Sequence, residues 1–179
     1  NPMLGRSIRH KLRISRDKIF SSAIKVLENY ATNPGLIEIE YFDEVGSGLG
    51  PTLEFYSNVS REFSKLKLWM WRSDKYSTIK SVNDVSDVYI HDVNGIFPRP
   101  MSKLDSHLTN TLLYFKVLGK FLARSFLDAR LVDFHFNPLF FEIAMNYAIS
   151  NDFKYDIDES IKKIRKIDET LGSSLQHLQ

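Results

Sequence analysis

The chain has 179 residues, 43% of them hydrophobic and 26% charged, with a formal net charge of +2; this balance belongs to the ordinary globular class and favours one domain over residues 1–179. It contains no cysteine, which excludes disulfides and thiolate-held metals. No apolar run approaches the ~20 residues that a membrane-crossing helix needs, and Asn1-Pro2-Met3 opens no charged-then-apolar signal segment.

The chain begins basic. Arg6, Arg9, His10, Lys11, Arg13, Arg16 and Lys18 face only Asp17. A nucleic-acid reader would pair such a cluster with stacking aromatics or a recognisable module, and neither lies nearby. The stretch reads as a solvated lead-in whose Arg13 and Arg16 pair with acids across the fold, with an acidic protein partner as the other option. Ser15 can then cap a helix in which Ile19, Phe20, Ala23, Ile24, Leu27 and Tyr30 form an apolar stripe, ended by Asn33-Pro34-Gly35.

Residues 36–42 put Ile37, Ile39 and Tyr41 on one face and Glu38 and Glu40 on the other, the alternation of a half-buried strand. Gly46, Gly48, Gly50 and Pro51 follow, and Thr52 can cap a helix whose Phe55, Tyr56, Val59, Phe63 and Leu66 recur every three or four residues. Glycines at a strand-to-helix junction suit a phosphate cradle. The motif is wrong for it, however: Gly50 precedes Pro51 and Thr52 with no lysine for the β/γ-phosphates, Pro51 stands where a dinucleotide site needs a small residue, and Glu44 repels phosphate. Glycines supplying positive φ for a compact turn fit better, and no cofactor or metal is expected.

Trp69 and Trp71 sit two apart in a short extended connection, packed under the glycine turn or forming a binding face. Residues 73–87 are polar and read as a surface loop. Asn94-Gly95, between Val88-Tyr89-Ile90 and Ile96-Phe97, suits a hairpin. After Pro98 and Pro100, Ser106 opens the longest helical pattern, with Leu108, Leu112, Phe115, Leu118, Leu122 and Phe126 as its apolar stripe and Lys116, Lys120 and Arg124 as a cationic one, solvated or acid-paired. Asn137-Pro138 starts another helix, bearing Leu139, Phe140, Ile143, Ala144 and Tyr147. His135 has no second histidine or cysteine at ligand spacing and is assigned no chemistry. Residues 152–169 alternate acids and bases around Ile157, Ile161, Ile164 and Ile167, as one or two short amphipathic helices. The predicted fold is α+β and mainly helical, with helices packed around a long central one and a few short strands that include the Asn-Gly hairpin.

The run Glu44-Val45-Gly46-Ser47-Gly48-Leu49-Gly50-Pro51-Thr52-Leu53-Glu54-Phe55-Tyr56 resembles the signature of the amino-terminal lobe of HECT-type ubiquitin ligases. Arg13-Ile14-Ser15-Arg16, Leu68-Trp69-Met70-Trp71-Arg72, Gly95-Ile96-Phe97-Pro98-Arg99-Pro100, and the stretch from Phe115 through Arg124 with Leu131-Val132-Asp133 resemble that lobe in the same order. The likeness covers the chain from about Arg6 to Gln179 and is nearest the branch of the ubiquitin-fusion degradation pathway ligase.

That resemblance implies the large subdomain of the lobe. The subdomain that docks the ubiquitin-conjugating enzyme and the carboxy-terminal lobe with the catalytic cysteine would lie outside the chain, with the docking subdomain attaching near residues 152–169 and Asp168 to Leu175 resembling the run just before it. It implies ubiquitin, a conjugating enzyme and protein substrates as partners, no membrane, and a parent protein in the cytoplasm and/or nucleus. It also implies a non-covalent ubiquitin contact at Leu49 and Tyr56, where other family members carry a longer turn with a large aromatic in place of Leu49; a buried staple for the following helix is the other reading of Leu49. A non-catalytic protein-interaction scaffold and a nucleotide-binding enzyme are the competing functional readings.

Overall fold

The computed structural model describes residues 8–78, 88–150 and 156–178, without the side chains of 77, 78 and 150. Arg6, the second part of the polar stretch at 79–87, and residues 152–155 of the acid–base segment lie outside the described residues. The expected solvated lead-in is instead a strand, β1 (Arg9–Ile14). It pairs in parallel with β2 (Leu36–Tyr41), Arg9 beside Leu36 and Ile14 beside Tyr41. A parallel pair needs a crossover, and α1 (Ile19–Tyr30) supplies it.

Cross-strand charge holds β1 in place. Arg9 lies 3.5 Å from Glu38, Lys11 3.6 Å from both Glu38 and Glu40, and Arg13 3.1 Å from Glu40. The acids of β2 are therefore covered by cations rather than solvated, and Glu38 is 8% exposed. On the other face Ile14, Ile37, Ile39 and Tyr41 enter the core with Ala23, Val26 and Leu27 of α1. Ser15 does not cap that helix; Lys18 occupies the cap position with no side-chain bond.

Two long helices complete the frame: α2 (Leu49–Phe63) and α3 (Leu108–Leu127). Phe121 of α3 stacks on Tyr56 at 5.5 Å and meets Phe63 at 5.7 Å, so the aromatic face of α2 selects which face of α3 is buried. The buried stripe runs through Thr111, Val117, Leu118, Phe121, Arg124 and Ser125. Of the expected stripe Leu118 is buried and Phe115 and Leu122 pack against the core, whereas Leu112 and Phe126 are 59% and 82% exposed, because the buried face is turned toward Val117, Phe121 and Arg124.

Between α2 and α3 the chain makes isolated bridges. The turn forms one residue earlier than the Asn-Gly pair suggests: Asp92 to Gly95 turn about Val93 and Asn94, with the Gly95 N–H donating to Asp92 O at 3.0 Å and Gly95 at φ 86°. The expected hairpin is absent among the described residues, since the flanks pair elsewhere: Tyr89 antiparallel with Lys65, and Ile96 parallel with Phe136. A Cβ on Gly95 would lie 2.4 Å from Asn137 N, so close approach as well as positive φ requires glycine. The loop expected at 73–87 opens with a 3₁₀ helix, Asp74–Thr78. Trp71 is fully buried and donates Nε1–H to Phe63 O at 2.7 Å, with Phe115, Phe136 and Phe140 as ring neighbours rather than the glycine turn. Trp69, at φ 56°, is sandwiched between Tyr76 at 4.5 Å and His107 at 4.3 Å.

Then come α4 (Pro138–Ser150), α5 (Ile157–Ile167) and α6 (Glu169–His177). The amphipathic segment thus resolves into two helices. Asp168 breaks them apart: it caps α6 by accepting from Leu171 N–H at 2.9 Å and pairs with Arg72.

Candidate functional site: the strand-to-helix turn and its floor

Of the three glycines around the start of α2, Gly46 and Gly48 lie in the turn after β2 and Gly50 in the first turn of the helix, and only Gly48 has a positive φ, 92°. Gly46 and Gly50 do not supply the left-handed angles expected of them, and a Cβ on Gly50 would meet nothing within 4 Å. Gly48 takes the cap position of α2, with Leu49 opening the helix, so Thr52 lies inside the first turn and is not the cap. Its Oγ1 donates to Gly48 O at 2.8 Å and accepts from the Ile39 N–H at 2.9 Å. One hydroxyl thereby joins the start of α2 to the outer edge of β2.

Arg16 clamps the turn from outside. Its guanidinium donates to Glu44 at 2.7 and 2.9 Å and to Glu54 at 3.1 Å, and lies 4.0 Å over the Tyr41 ring. Hydrogen bonds from Arg16 lower both carboxyls below their ordinary value of 4.5. Arg13 and Arg16 both pair with acids across the fold, as the sequence led one to expect.

The floor of the site is polar and closed. Tyr56 Oη donates to Asp128 Oδ2 at 2.6 Å, and burial first, then that carboxylate, push the phenol far above its ordinary value. Asp128 also accepts from Arg124 Nε at 2.9 Å and Nη2 at 2.5 Å. The remaining guanidinium donors go to the carbonyls of Tyr30, Asn33 and Gly35. This one arginine joins α3 to the turn that ends α1, and Asp128 carries the link on to α2.

Leu49 and Tyr56 do not share a surface. Leu49 is 55% exposed, so it is not a buried staple, whereas Tyr56 is 1% exposed and its ring cannot reach a partner in this conformation. Leu53, which the sequence reading passed over, is 45% exposed one turn beyond Leu49. The signal was available: positions i and i+4 share a helix face. Arg124 leaves the expected cationic stripe for the interior, and its partner four residues on, Asp128, was likewise overlooked. His135 borders an open cleft with Arg61, His91, Asp92 and Asp133. Among the described residues no three His, Asp or Glu side chains are placed to hold a metal.

Residues 57–179 match the family model of the HECT-domain (ubiquitin-transferase). The Ubiquitin fusion degradation protein 4 of Saccharomyces cerevisiae is 40% identical over 178 residues, 98% of this chain and 12% of that protein. A probable ubiquitin fusion degradation protein of Schizosaccharomyces pombe is 40% identical over 173 residues, 96% of this chain and 9% of that protein. The E3 ubiquitin-protein ligase UPL3 of Arabidopsis thaliana is 34% identical over 192 residues, 98% of this chain and 10% of that protein. The chain thus spans about a tenth of the length of the curated relatives it matches.

Proposed function

The chain belongs to the HECT-domain (ubiquitin-transferase) family, and from that membership we propose that it is the large subdomain of the amino-terminal lobe of an E3 ubiquitin-protein ligase. The observation that carries the reading is the 40% identity to Ubiquitin fusion degradation protein 4, sustained along 98% of the chain. A ligase of this kind takes ubiquitin from a conjugating enzyme as a cysteine thioester, and a substrate lysine then attacks the thioester. The acceptor must be a thiolate. These residues include no cysteine, so their part is to be the frame: the thioester and the main docking site of the conjugating enzyme belong to other parts of a longer protein acting on cytoplasmic or nuclear substrates marked for degradation.

Within that frame, Leu49 is the residue for a non-covalent ubiquitin contact, with Leu53 one turn beyond it. An exposed apolar pair at the start of a helix clamped by Arg16 offers a firm hydrophobic surface, and Tyr56 supports it from the floor rather than touching ubiquitin.

The test is to incubate the full-length protein with a ubiquitin-charged conjugating enzyme and resolve the products without reductant. A thiol-sensitive ubiquitin adduct, lost when a cysteine outside these residues is changed to alanine, is the expected result. No adduct with any of several charged conjugating enzymes overturns the reading in favour of a non-catalytic protein-interaction scaffold.

A further inference from the structure

The two edges of the β1–β2 sheet are treated differently. On β2 the outward N–H of Ile39 is taken by Thr52. The sheet has two strands among the described residues, and no described strand pairs with the outer edge of β1. Leu36 and Phe42 N–H donate to the carbonyls of Ile8 and Ile14. In a parallel ladder alternate residues face the partner strand, so the backbone groups of Arg9, Lys11 and Arg13 point away from β2, along the open edge.

A groove of about 450 Å³ runs beside that edge, between β1 and α1. Leu12, Val26 and Phe42 give it apolar patches, and Lys18 at the cap of α1 and Lys25 within that helix also line it. Asp17 and Glu28 do not line it, nor does any other acid among the described residues. Lys18 and Lys25 are exposed and have no acid at ion-pair distance among the described residues. On the opposite face of the sheet Arg9, Lys11 and Arg13 keep about six-tenths of their side chains exposed. A strand laid against β1 would thus meet cations on both of its faces.

An open strand edge beside a helix is the geometry in which an extended peptide adds a strand, the main chain giving affinity and alternate side chains giving specificity. Cations along such an edge oppose pairing with a second copy of the same edge, and opposite charges directly across a pair of strands attract. We propose that β1 and α1 form a docking groove for an extended acidic segment of a partner protein, bound by strand addition to Arg9, Lys11 and Arg13.

The probe is a short fluorescent peptide alternating Glu with Val, titrated by anisotropy into the full-length protein at low ionic strength. Binding should be saturable. Lys18→Glu with Lys25→Glu should weaken it about tenfold, through loss of charge complementarity. N-methylation of alternate peptide bonds, which removes edge donors and leaves the charge unchanged, should abolish it. No binding by the unmethylated peptide, or equal binding by the methylated one, overturns the proposal, the latter reducing the surface to a diffuse cationic patch. Hydrogen exchange on the peptide-free protein supplies the third reading: fast exchange at Lys11 and Arg13 is expected, and protected amides there mean that another segment of the same protein covers the edge, which also overturns it.

Discussion

Arg124 and Asp128, one turn apart at the end of α3, form an ion pair with side chains only 2% and 1% exposed. An ion pair this deep is retained only where the rest of its hydrogen-bonding capacity is met. Here it is, by Tyr56 and by the carbonyls of Tyr30, Asn33 and Gly35. Removing one partner leaves a buried charge. Asp128→Ala is expected to cost about 3–5 kcal/mol of unfolding free energy. Tyr56→Phe keeps the ring stacked on Phe121 and loses one bond to a charged acceptor, about 1.5–3 kcal/mol. Urea denaturation of both variants checks the order, and a Tyr56→Phe cost equal to that of Asp128→Ala would refute it.

Thr52 gives a sharper contrast. Its hydroxyl is the acceptor for the buried N–H of Ile39, so Thr52→Val keeps the shape and orphans that donor, a loss of about 1–3 kcal/mol. Thr52→Ser keeps the hydroxyl and should retain most of the stability. Denaturant midpoints separate the two, and equal midpoints would mean that the bond contributes nothing.

The helices were legible in the sequence wherever one apolar stripe dominated. The period from Ile19 to Tyr30 and from Phe55 to Phe63, and Pro138 as a first helical residue, each marked an element that formed. β1 was not legible. Its alternate Arg9, Lys11 and Arg13 look like a solvated arm until Glu38 and Glu40 arrive from a strand some 27 residues later. At Asn94-Gly95 the local signal marked a turn but set it one residue late and gave the wrong partners, because Ile96 pairs with Phe136 rather than back across the turn. In α3, apolar residues occupy more than one face, and the rings of Phe20, Tyr56, Phe63 and Trp71 from other elements decide which is buried. Of the site, the glycine turn was readable from composition, whereas its floor was hidden: the acceptors of Arg124 are mostly backbone carbonyls, which no side-chain pattern announces.

Asp168 should make the packing of α6 acid-sensitive. The Leu171 N–H bond lowers its carboxyl below the ordinary 3.8, and Arg72 adds to the effect. A carboxyl depressed by folding contributes stability that is fully present above its unfolded value and is lost as pH falls through the folded one. Protection of the α6 amides, measured against their intrinsic exchange rates at each pH, should therefore hold down to about pH 4 and fall below it. Asp168→Asn keeps a capping oxygen and loses the charge. It should flatten that profile at a cost of about 1 kcal/mol or less, and an unchanged profile in this variant would assign the acid sensitivity elsewhere.

Leu49→Asp tests the ubiquitin contact in the full-length protein. The side chain is 55% exposed on a helix whose hold on the sheet comes from Thr52 and Arg16, so the substitution should leave folding within about 0.5 kcal/mol of the parent. If Leu49 holds a second ubiquitin near the active cysteine, the first ubiquitin is transferred at the normal rate while chain elongation slows, by about tenfold for the loss of one buried leucine contact. Single-turnover transfer and chain-length distributions from the same reaction read the two steps separately. A proportional loss of both steps, or of neither, removes Leu49 from ubiquitin handling, and the same comparison on Leu53→Asp shows whether the contact extends one turn along α2.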